Sequence, residues 1–127
     1  MSTGTVMVIG ASRDRSKFGN KAVRAYLKRG WTVYPVNPNA DEIEGITSYH
    51  SIDATPRPVD RITVYLAPEA ALKALDNIAA VRARGVFFNP GADSREVIEK
   101  AVSLGINAIA ACSIVDIGLS PSQFPGK

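Results

Sequence analysis

Several features that would mark a secreted, membrane-bound or metal-dependent protein are scarce in this 127-residue sequence. Its one cysteine, Cys112, cannot form an internal disulfide, which is typical of a reducing compartment. Its one histidine, His50, has no cysteine or histidine neighbour at the spacing of a metal site. No apolar run approaches the roughly 20 residues of a membrane span, and the first residues lack the basic charge of a signal peptide. We therefore predict a cytoplasmic protein with no metal and no membrane contact.

Aromatic residues are also scarce, at 7%, and they do not alternate with basic residues as the stacking platforms of a nucleic-acid binder would. The net charge is only +3, yet residues 13–29 hold seven basic residues and one acidic residue. The seven are Arg13, Arg15, Lys17, Lys21, Arg24, Lys28 and Arg29. The later four are equally compatible with a solvated helix face, whereas the first three belong to a loop that should face a ligand. These features predict a small anionic ligand and no nucleic acid.

Two common nucleotide-binding signatures are missing. The dinucleotide fingerprint G-x-G-x-x-G is absent because Ser12 follows Gly10-Ala11, and no G-K-[ST] sequence occurs. The second apolar run ends in Val36-Asn37-Pro38-Asn39, where an NAD-binding domain places an acidic residue for the ribose hydroxyls. The neutral amide disfavours NAD and leaves room for a ribose that carries a phosphate, although Asn-Pro is equally a simple turn.

Short apolar runs alternate with amphipathic segments along the chain. The apolar runs predict strands over residues 5–9, 31–36, 61–66, 86–88 and 106–111. Helical spacing predicts helices over residues 20–29, from Pro68 to before Gly85, and from a capping box at Asp93 and Glu96 to before Gly105. A half-turn of helix around Asp41-Glu42-Ile43 and an extended piece near Tyr49 are expected between the second and third strands, and residues 118–127 are expected to be loosely ordered.

This alternation predicts one α/β domain over residues 1–127, a Rossmann-like, doubly wound fold. The predicted sheet is mostly parallel and five-stranded, in the order 3-2-1-4-5, with helices on both faces. Ligands bind such sheets beyond the carboxyl ends of the strands, where the strand order reverses. We therefore expect the ligand between the loops 10–19, 37–40, 67–68 and 89–93.

The loop after the first strand has the character of an anion site. Gly10 permits a tight turn, and Ala11 and Ser12 are small enough for a phosphate to approach the backbone. The helix that follows presents unpaired N–H groups and the positive end of its dipole. The alternative is a glycine-containing loop that merely connects a strand to a helix.

Three motifs and their joint spacing resemble one family. They are V-I-G-A-S-R-D-x-S-K-x-G-N-K at 8–21, G-W-x-V-Y-P-V-N-P-N at 30–39 and D-E-I-x-G at 41–45. Over residues 5–112 the chain resembles the small stand-alone CoA-binding proteins, whose fold resembles the CoA-binding domain of the succinyl-CoA synthetase α subunit. The resemblance implies a Rossmann-like domain that holds coenzyme A or an acyl-CoA.

The resemblance also implies where the ligand lies. The pyrophosphate would lie over Ser12, Arg13 and Lys17, the adenosine near residues 37–39, and residues 67–68 would line the other side. The predicted cofactor-binding residues are Gly10, Ala11, Ser12, Arg13, Lys17, Asn37, Pro38, Asn39, Ala67, Pro68 and Asn89. The family commonly has a lysine where Asn39 stands, and Phe88-Asn89-Pro90-Gly91 resembles the synthetase domain more than the stand-alone proteins.

No catalytic set follows from residue spacing. His50 is typical of a surface or loop histidine, and the phosphorylated histidine of the synthetases belongs to a separate domain without a counterpart in this sequence. Cys112, at the end of the fifth predicted strand, is either a small core residue or a thiol that meets the ligand. We therefore predict no catalytic residue, and a binding protein rather than an enzyme.

Two other functions remain open at this stage. The first is an NAD(P)-binding redox or sensor domain. The second is a non-catalytic subunit of an acyl-CoA ligase, completed by a separate ATP-grasp partner chain. A homo-oligomer is also compatible with the sequence.

Overall fold

A computed structural model describes residues 4–127. The strands are β1 (Thr5–Ile9), β2 (Thr32–Val36), β3 (Glu42–Ile43), β4 (Ile46–Thr47), β5 (Arg61–Val64), β6 (Gly85–Phe88) and β7 (Ala108–Ala110). The α-helices are α1 (Phe18–Lys28), α2 (Pro68–Val81), α3 (Arg95–Ser103) and α4 (Ser113–Asp116). Short 3-10 helices cover Ile52–Ala54 and Pro121–Gln123.

Five of these strands form one parallel sheet in the order β2-β1-β5-β6-β7. The prediction of a parallel, five-stranded α/β fold is therefore confirmed. The predicted strand order is wrong: with the five strands numbered along the chain, the order is 2-1-3-4-5 rather than 3-2-1-4-5. The strand order thus reverses between β1 and β5, so the ligand crevice is expected beyond the carboxyl ends of these two strands.

The outer edge of β2 explains this difference. The Tyr49 N–H donates to the Pro35 carbonyl oxygen at 2.8 Å, and the Asn37 N–H donates to the Tyr49 carbonyl oxygen at 2.9 Å. The returning chain therefore occupies the edge that the third main strand would need, as a single parallel bridge between Val36 and Tyr49. Pro35, which has no N–H, lies in this edge strand, where proline is tolerated.

The sheet separates two apolar cores, and β1 shows why. Because successive strand residues point to opposite faces, Met7 and Ile9 pack into one core, and Val6 and Val8 pack into the other. The first core is closed by the buried faces of α2 and α3, and the second by α1, α4 and the last residues of the chain. This arrangement confirms helices on both faces of the sheet.

Residues 42–47 form an antiparallel hairpin, not the predicted half-turn of helix. The two residues of its turn, Glu44 and Gly45, have φ values of 51° and 78°. A two-residue hairpin turn of this type needs positive φ at both positions, which glycine supplies without strain. Ile43 is buried in the second core and anchors the hairpin beside α1.

The ends of several elements differ from the prediction. Helix α1 begins at Phe18, two residues early, and the third strand ends at Val64 rather than at residue 66. Helix α3 is capped by Ser94, whose hydroxyl accepts the Val97 N–H at 3.3 Å, so the predicted capping box at Asp93 is wrong. The Asp93 carboxylate instead accepts the Gly91 N–H, and this hydrogen bond closes the turn that precedes the helix.

The segment expected to be loosely ordered, residues 118–127, packs against the molecule. Leu119 and Phe124 are each 8% exposed and belong to the core beneath α1. Ser120 and Gln123 form a capping box that starts the short helix Pro121–Gln123. Two apolar anchors and a local cap thus order a stretch whose polar composition suggested otherwise. Within residues 4–127, no helix is long and apolar enough to cross a membrane.

Candidate functional site

A pocket of about 350 Å³ lies at the carboxyl end of the sheet, where the strand order reverses. Its walls come from the segments that follow β1, β5, β6 and β7, together with the first turn of α1. The lining residues are Gly10, Lys17, Phe18, Gly19, Tyr65, Leu66, Ala67, Asn89, Pro90, Gly91, Ala92 and Cys112. Its volume is in the range of small-molecule sites, at the lower end.

Two glycines bring α1 directly over the end of β1. Gly10 has φ +87°, and a Cβ atom there would overlap the carbonyl oxygen of Tyr65. A Cβ atom on Gly19, in the first turn of α1, would overlap the carbonyl oxygen of Gly10. Any side chain at either position would therefore push the helix or β5 away. The close approach places the N terminus of α1 at the wall of the pocket.

The N terminus of α1 offers hydrogen-bond donors to the pocket. Lys17 is the N-cap residue, and its carbonyl oxygen accepts the N–H groups of Asn20 and Lys21, both at 3.1 Å. The backbone N–H groups of Phe18 and Gly19 have no acceptor among residues 4–127. The lining contains one cationic side chain, Lys17, and no carboxylate. Free N–H groups, the helix dipole and an ammonium group together favour an anion here.

The loop between β1 and α1 is held by its own side chains. The Asp14 carboxylate accepts the Ser16 hydroxyl at 2.6 Å and the Ser16 N–H at 3.0 Å. These bonds, the hydroxyl's first, hold the pKa of Asp14 below its usual range. The Ser12 hydroxyl accepts the Asp14 N–H, and the Ser12 carbonyl accepts the Asn20 side-chain amide. The loop's own side chains and Asn20 therefore support its shape.

Asn37 joins this loop to the loop after β2. Its amide donates to the Ala11 carbonyl oxygen at 2.9 Å, and its carbonyl oxygen accepts the Asn39 N–H at 2.7 Å. The Asn37 side chain thus forms hydrogen bonds with the backbone of both loops. Pro38 and Asn39 are exposed. Asn37 supplies no carboxylate of the kind that an NAD-binding domain uses for the ribose.

Asn89 forms the polar base of the pocket. It is 2% exposed, and its amide donates to the Thr63 hydroxyl at 2.7 Å and to the Val64 carbonyl oxygen at 3.0 Å. Its carbonyl oxygen accepts the Ser113 N–H at 2.8 Å. One side chain therefore connects β5, the end of β6 and the start of α4, so it fixes the base of the pocket.

Tyr65 and Cys112 lie together on the inner wall. The Tyr65 hydroxyl is enclosed, and no group in the described part of the chain meets it at hydrogen-bonding geometry. Burial therefore raises the pKa of Tyr65, an effect that nearby Thr63 only partly offsets. Cys112 is half-buried and lines the pocket.

The structure brings four of the predicted cofactor-binding residues into one pocket: Gly10, Lys17, Ala67 and Asn89. The others, Ala11, Ser12, Arg13, Asn37, Pro38, Asn39 and Pro68, lie outside its lining, and their ligand contacts stay predictions. Phe18 lies in the loop range 10–19 that was predicted to face the ligand, although it was not named as a binding residue. Sequence reasoning missed Tyr65 and Leu66, because both were assigned to a strand that ends before them.

In the part of the chain that the structure describes, the residues that line the pocket include no histidine and no carboxylate. His50 pairs with Asp41 at 2.7 Å on the surface, where the two side chains are 59% and 92% exposed. Residues 4–127 contain no group of three or more histidine, cysteine or acidic residues that would hold a metal ion.

Comparison with known proteins places this chain in a known family of domains. Residues 4–118 match the family described as CoA binding domain. The chain is 29% identical over 114 residues to an ADP-forming acetate–CoA ligase of Archaeoglobus fulgidus, covering 82% of this chain and 17% of the ligase. It spans 15% and 17% of the lengths of two such curated relatives.

Solved structures agree with this assignment. A conserved hypothetical protein of Pyrococcus furiosus superposes with a TM-score of 0.79 at 31% identity, covering 91% of this chain and 99% of that chain. A dinucleotide-forming acetyl-coenzyme A synthetase of Ca. Korarchaeum cryptofilum superposes with a TM-score of 0.74 at 25% identity, covering 87% of this chain and 26% of the synthetase. Because the family match spans nearly the whole described chain, including every segment that lines the pocket, this protein belongs to the CoA-binding domain family.

Proposed function

We propose that this chain binds coenzyme A or an acyl-CoA in the pocket at the N terminus of α1. The observation that carries the proposal is the combination of Lys17 with the unpartnered N–H groups of Phe18 and Gly19, in a pocket whose lining has no carboxylate. A pyrophosphate brings negative charge and several acceptor oxygens, which match these donors.

The two ends of the pocket indicate where the other parts of the ligand would lie. The Asn37 amide joins the loop after β1 to the exposed residues Pro38 and Asn39, and we place the adenosine and its phosphate there, beside Ser12 and Arg13. Toward the inner wall the lining is apolar, with Leu66, Pro90 and Ala92, and suits an uncharged arm or an acyl chain.

Calorimetry of the full chain with CoA, dephospho-CoA and NAD tests this proposal. We expect CoA to bind more tightly than NAD, because Asn37 supplies no carboxylate for a free ribose diol. Arg13→Ala should weaken the binding of CoA more than that of dephospho-CoA, because we place Arg13 beside the phosphate that dephospho-CoA lacks. NAD binding as tight as CoA binding would reject the assignment.

The Lys17→Ala variant measures how much the Lys17 ammonium group contributes to CoA affinity. A hydrogen bond from a charged group contributes about 1.5–3 kcal/mol, so its loss should weaken CoA binding roughly tenfold to 150-fold. Lys28→Ala is the matched control, because Lys28 ends the same helix more than about 15 Å along its axis, beyond the Debye length of about 8 Å. Equal losses in the two variants would place the phosphates elsewhere.

A second candidate is a non-catalytic subunit of an acyl-CoA ligase, completed by a separate ATP-grasp chain. The likeness to an acetate–CoA ligase of which this chain covers only 17% favours it. The tagged chain, purified from its own cells, should then bring an ATP-grasp protein with it, and the pair should show ligase turnover that neither shows alone. Purification of the chain with CoA and no second protein would favour the first candidate.

A further inference from the structure

The last residues of the chain, 119–127, lie outside the part that matches the CoA-binding domain family, which ends at residue 118. We call them the C-terminal segment. It runs along α1 toward the loop between β1 and α1, with Leu119 and Phe124 buried against the helix. Its far end reaches the loop itself: a Cβ atom on Gly126 would lie 2.9 Å from the Ser16 Cβ atom. The segment is thus in contact with the loop that faces the proposed phosphate site.

Arg24 connects the segment, the helix and the loop through one guanidinium group. It donates to the carbonyl oxygens of Pro125 at 3.0 Å and Phe124 at 3.2 Å, both in the C-terminal segment. It also donates to the Arg15 carbonyl oxygen in the loop at 2.8 Å, and to the Asn20 side chain in α1 at 2.7 Å. The planar fork of arginine suits several acceptors held at once.

The chain of contacts continues from Arg24 to the base of the loop. The Asn20 amide, whose oxygen accepts from Arg24, donates to the Ser12 carbonyl oxygen at 2.9 Å and to the Glu44 carboxylate at 3.0 Å. Glu44 in turn pairs with the Arg15 guanidinium at 3.2 Å. The loop backbone at residues 12 and 15 is therefore held by side chains that do not line the pocket.

We propose that the C-terminal segment is a positioning element for the phosphate-binding loop, with Arg24 as the positioning residue. This inference rests on the proposed function, because it assumes that the loop and the α1 N terminus receive the ligand's phosphates. Arg24 acts without touching the ligand, since its donors are committed to Asn20, Arg15 and the segment. A loop held in shape before binding avoids the ordering cost that a free loop would incur, and affinity rises accordingly. Because coupling between two sites is reciprocal, bound CoA must also stabilise the docked segment.

Calorimetry with CoA on full-length variants tests the inference. Arg24→Ala and Phe124→Ala release the segment in two different ways, and each should weaken CoA binding by at least about fivefold, the lower end of typical couplings. Arg29→Ala is the matched control: Arg29 caps the C-terminal end of the same helix and donates to the Ile117 and Gly118 carbonyl oxygens, but no hydrogen bond joins it to the loop. It should keep CoA affinity within about twofold, since its bonds end before the C-terminal segment begins.

Salt dependence separates positioning from direct contact. Because salt screens the attraction between charges, removing a cation that touches a phosphate makes the affinity depend less steeply on salt concentration, as we expect for Lys17→Ala. Arg24→Ala should lose affinity while keeping the parent's salt dependence. A less steep salt dependence in Arg24→Ala would make Arg24 a direct ligand contact and overturn the inference.

Hydrogen exchange keeps the two proposals apart. Without ligand, amides of residues 12–16 should exchange faster in Arg24→Ala than in the parent chain and in Arg29→Ala, whether or not CoA is the ligand. With CoA, amides of residues 122–124 in the parent should exchange more slowly. If the parent does not bind CoA, the proposed function fails. The positioning role of Arg24 is then tested only by amide exchange of residues 12–16 in the three proteins. Unchanged loop exchange in Arg24→Ala, or an affinity loss in Arg29→Ala equal to that in Arg24→Ala, overturns the inference.

Discussion

At the residue scale, the basic cluster at 13–29 divides by what its side chains bind. Arg15, Arg24 and Arg29 donate to backbone carbonyl oxygens of the last eleven residues, and Arg15 also pairs with Glu44. Lys17, in contrast, lines the pocket. Guanidinium groups suit several fixed acceptors, whereas a lysine ammonium is a compact charge on a flexible stem. The cluster that looks uniform in sequence thus serves two purposes, and mainly the arginines hold the structure.

Asn89 gives the clearest residue-scale prediction. Asn89→Ala removes the acceptor for the Ser113 N–H and the donor to Thr63 in a site that is almost fully buried. Buried groups left without partners cost about 1–3 kcal/mol, so the free energy of unfolding should fall by that amount in urea titrations. The control is Asn107→Ala, an exposed asparagine that donates to the Arg84 carbonyl oxygen, with an expected loss below about 0.5 kcal/mol. Similar losses in both variants would show that the buried network contributes little.

At the element scale, the amino ends of β1 and β5 are joined by one carboxylate. Asp60 accepts the Thr5 N–H at 2.9 Å and the Thr5 hydroxyl at 3.1 Å. These bonds, the backbone one first, hold the pKa of Asp60 below its usual range. A carboxylate whose pKa is lower in the folded state stabilises the fold above its unfolded pKa of about 3.9, and loses that contribution as the pH falls through its folded value.

Asp60→Asn should therefore change how stability depends on pH. At pH 6 the variant should be less stable than the parent, and the difference should shrink as the pH falls below about 4 toward the folded pKa of Asp60. Urea unfolding between pH 6 and pH 2.5 measures this. Asp76→Asn, on the exposed face of α2, controls for the loss of one negative charge. A difference that stays constant over the whole range would disprove the role assigned to the ionised carboxylate.

At the scale of the whole molecule, the pocket depends on segments that are far apart in sequence. Its lining runs from Gly10 to Cys112 and includes the ends of four strands and the start of α1. A ligand there contacts groups that come together only in the folded state. Binding must therefore stabilise the entire molecule, by an amount that grows with the ligand concentration relative to its dissociation constant.

We expect CoA to raise the melting temperature. At 100 times the dissociation constant the stabilisation is about 2.7 kcal/mol, which corresponds to a shift on the order of 10 °C for a domain of this size. NAD at the same concentration should give a smaller shift, and Lys17→Ala should reduce the shift produced by CoA. A melting temperature that does not move at a CoA concentration that saturates calorimetric titration would contradict binding to the folded state.

The local parts of the fold follow directly from the order of residues along the chain. The apolar run of β1, the small residues 10–12 and the start of α1 follow each other directly, so their order in sequence is their order in space. Pro68 begins α2 as predicted, because proline's missing N–H costs nothing in the first turn. The motifs at 8–21, 30–39 and 41–45 were sufficient to identify the CoA-binding resemblance, which the family match confirms.

How these parts pack together depends on long-range contacts that the folded molecule reveals. Periodicity reports which face of an element is buried, but not the partner that buries it, so it did not reveal that Tyr49 occupies the edge of β2 and sends β5 to the other side of β1. The same limit applies to residues 118–127, whose polar composition conceals two buried anchors, Leu119 and Phe124. The pocket's lining and the hydrogen bonds of Arg24 also join residues far apart in the chain. Such contacts arise from packing in three dimensions, which local spacing does not encode.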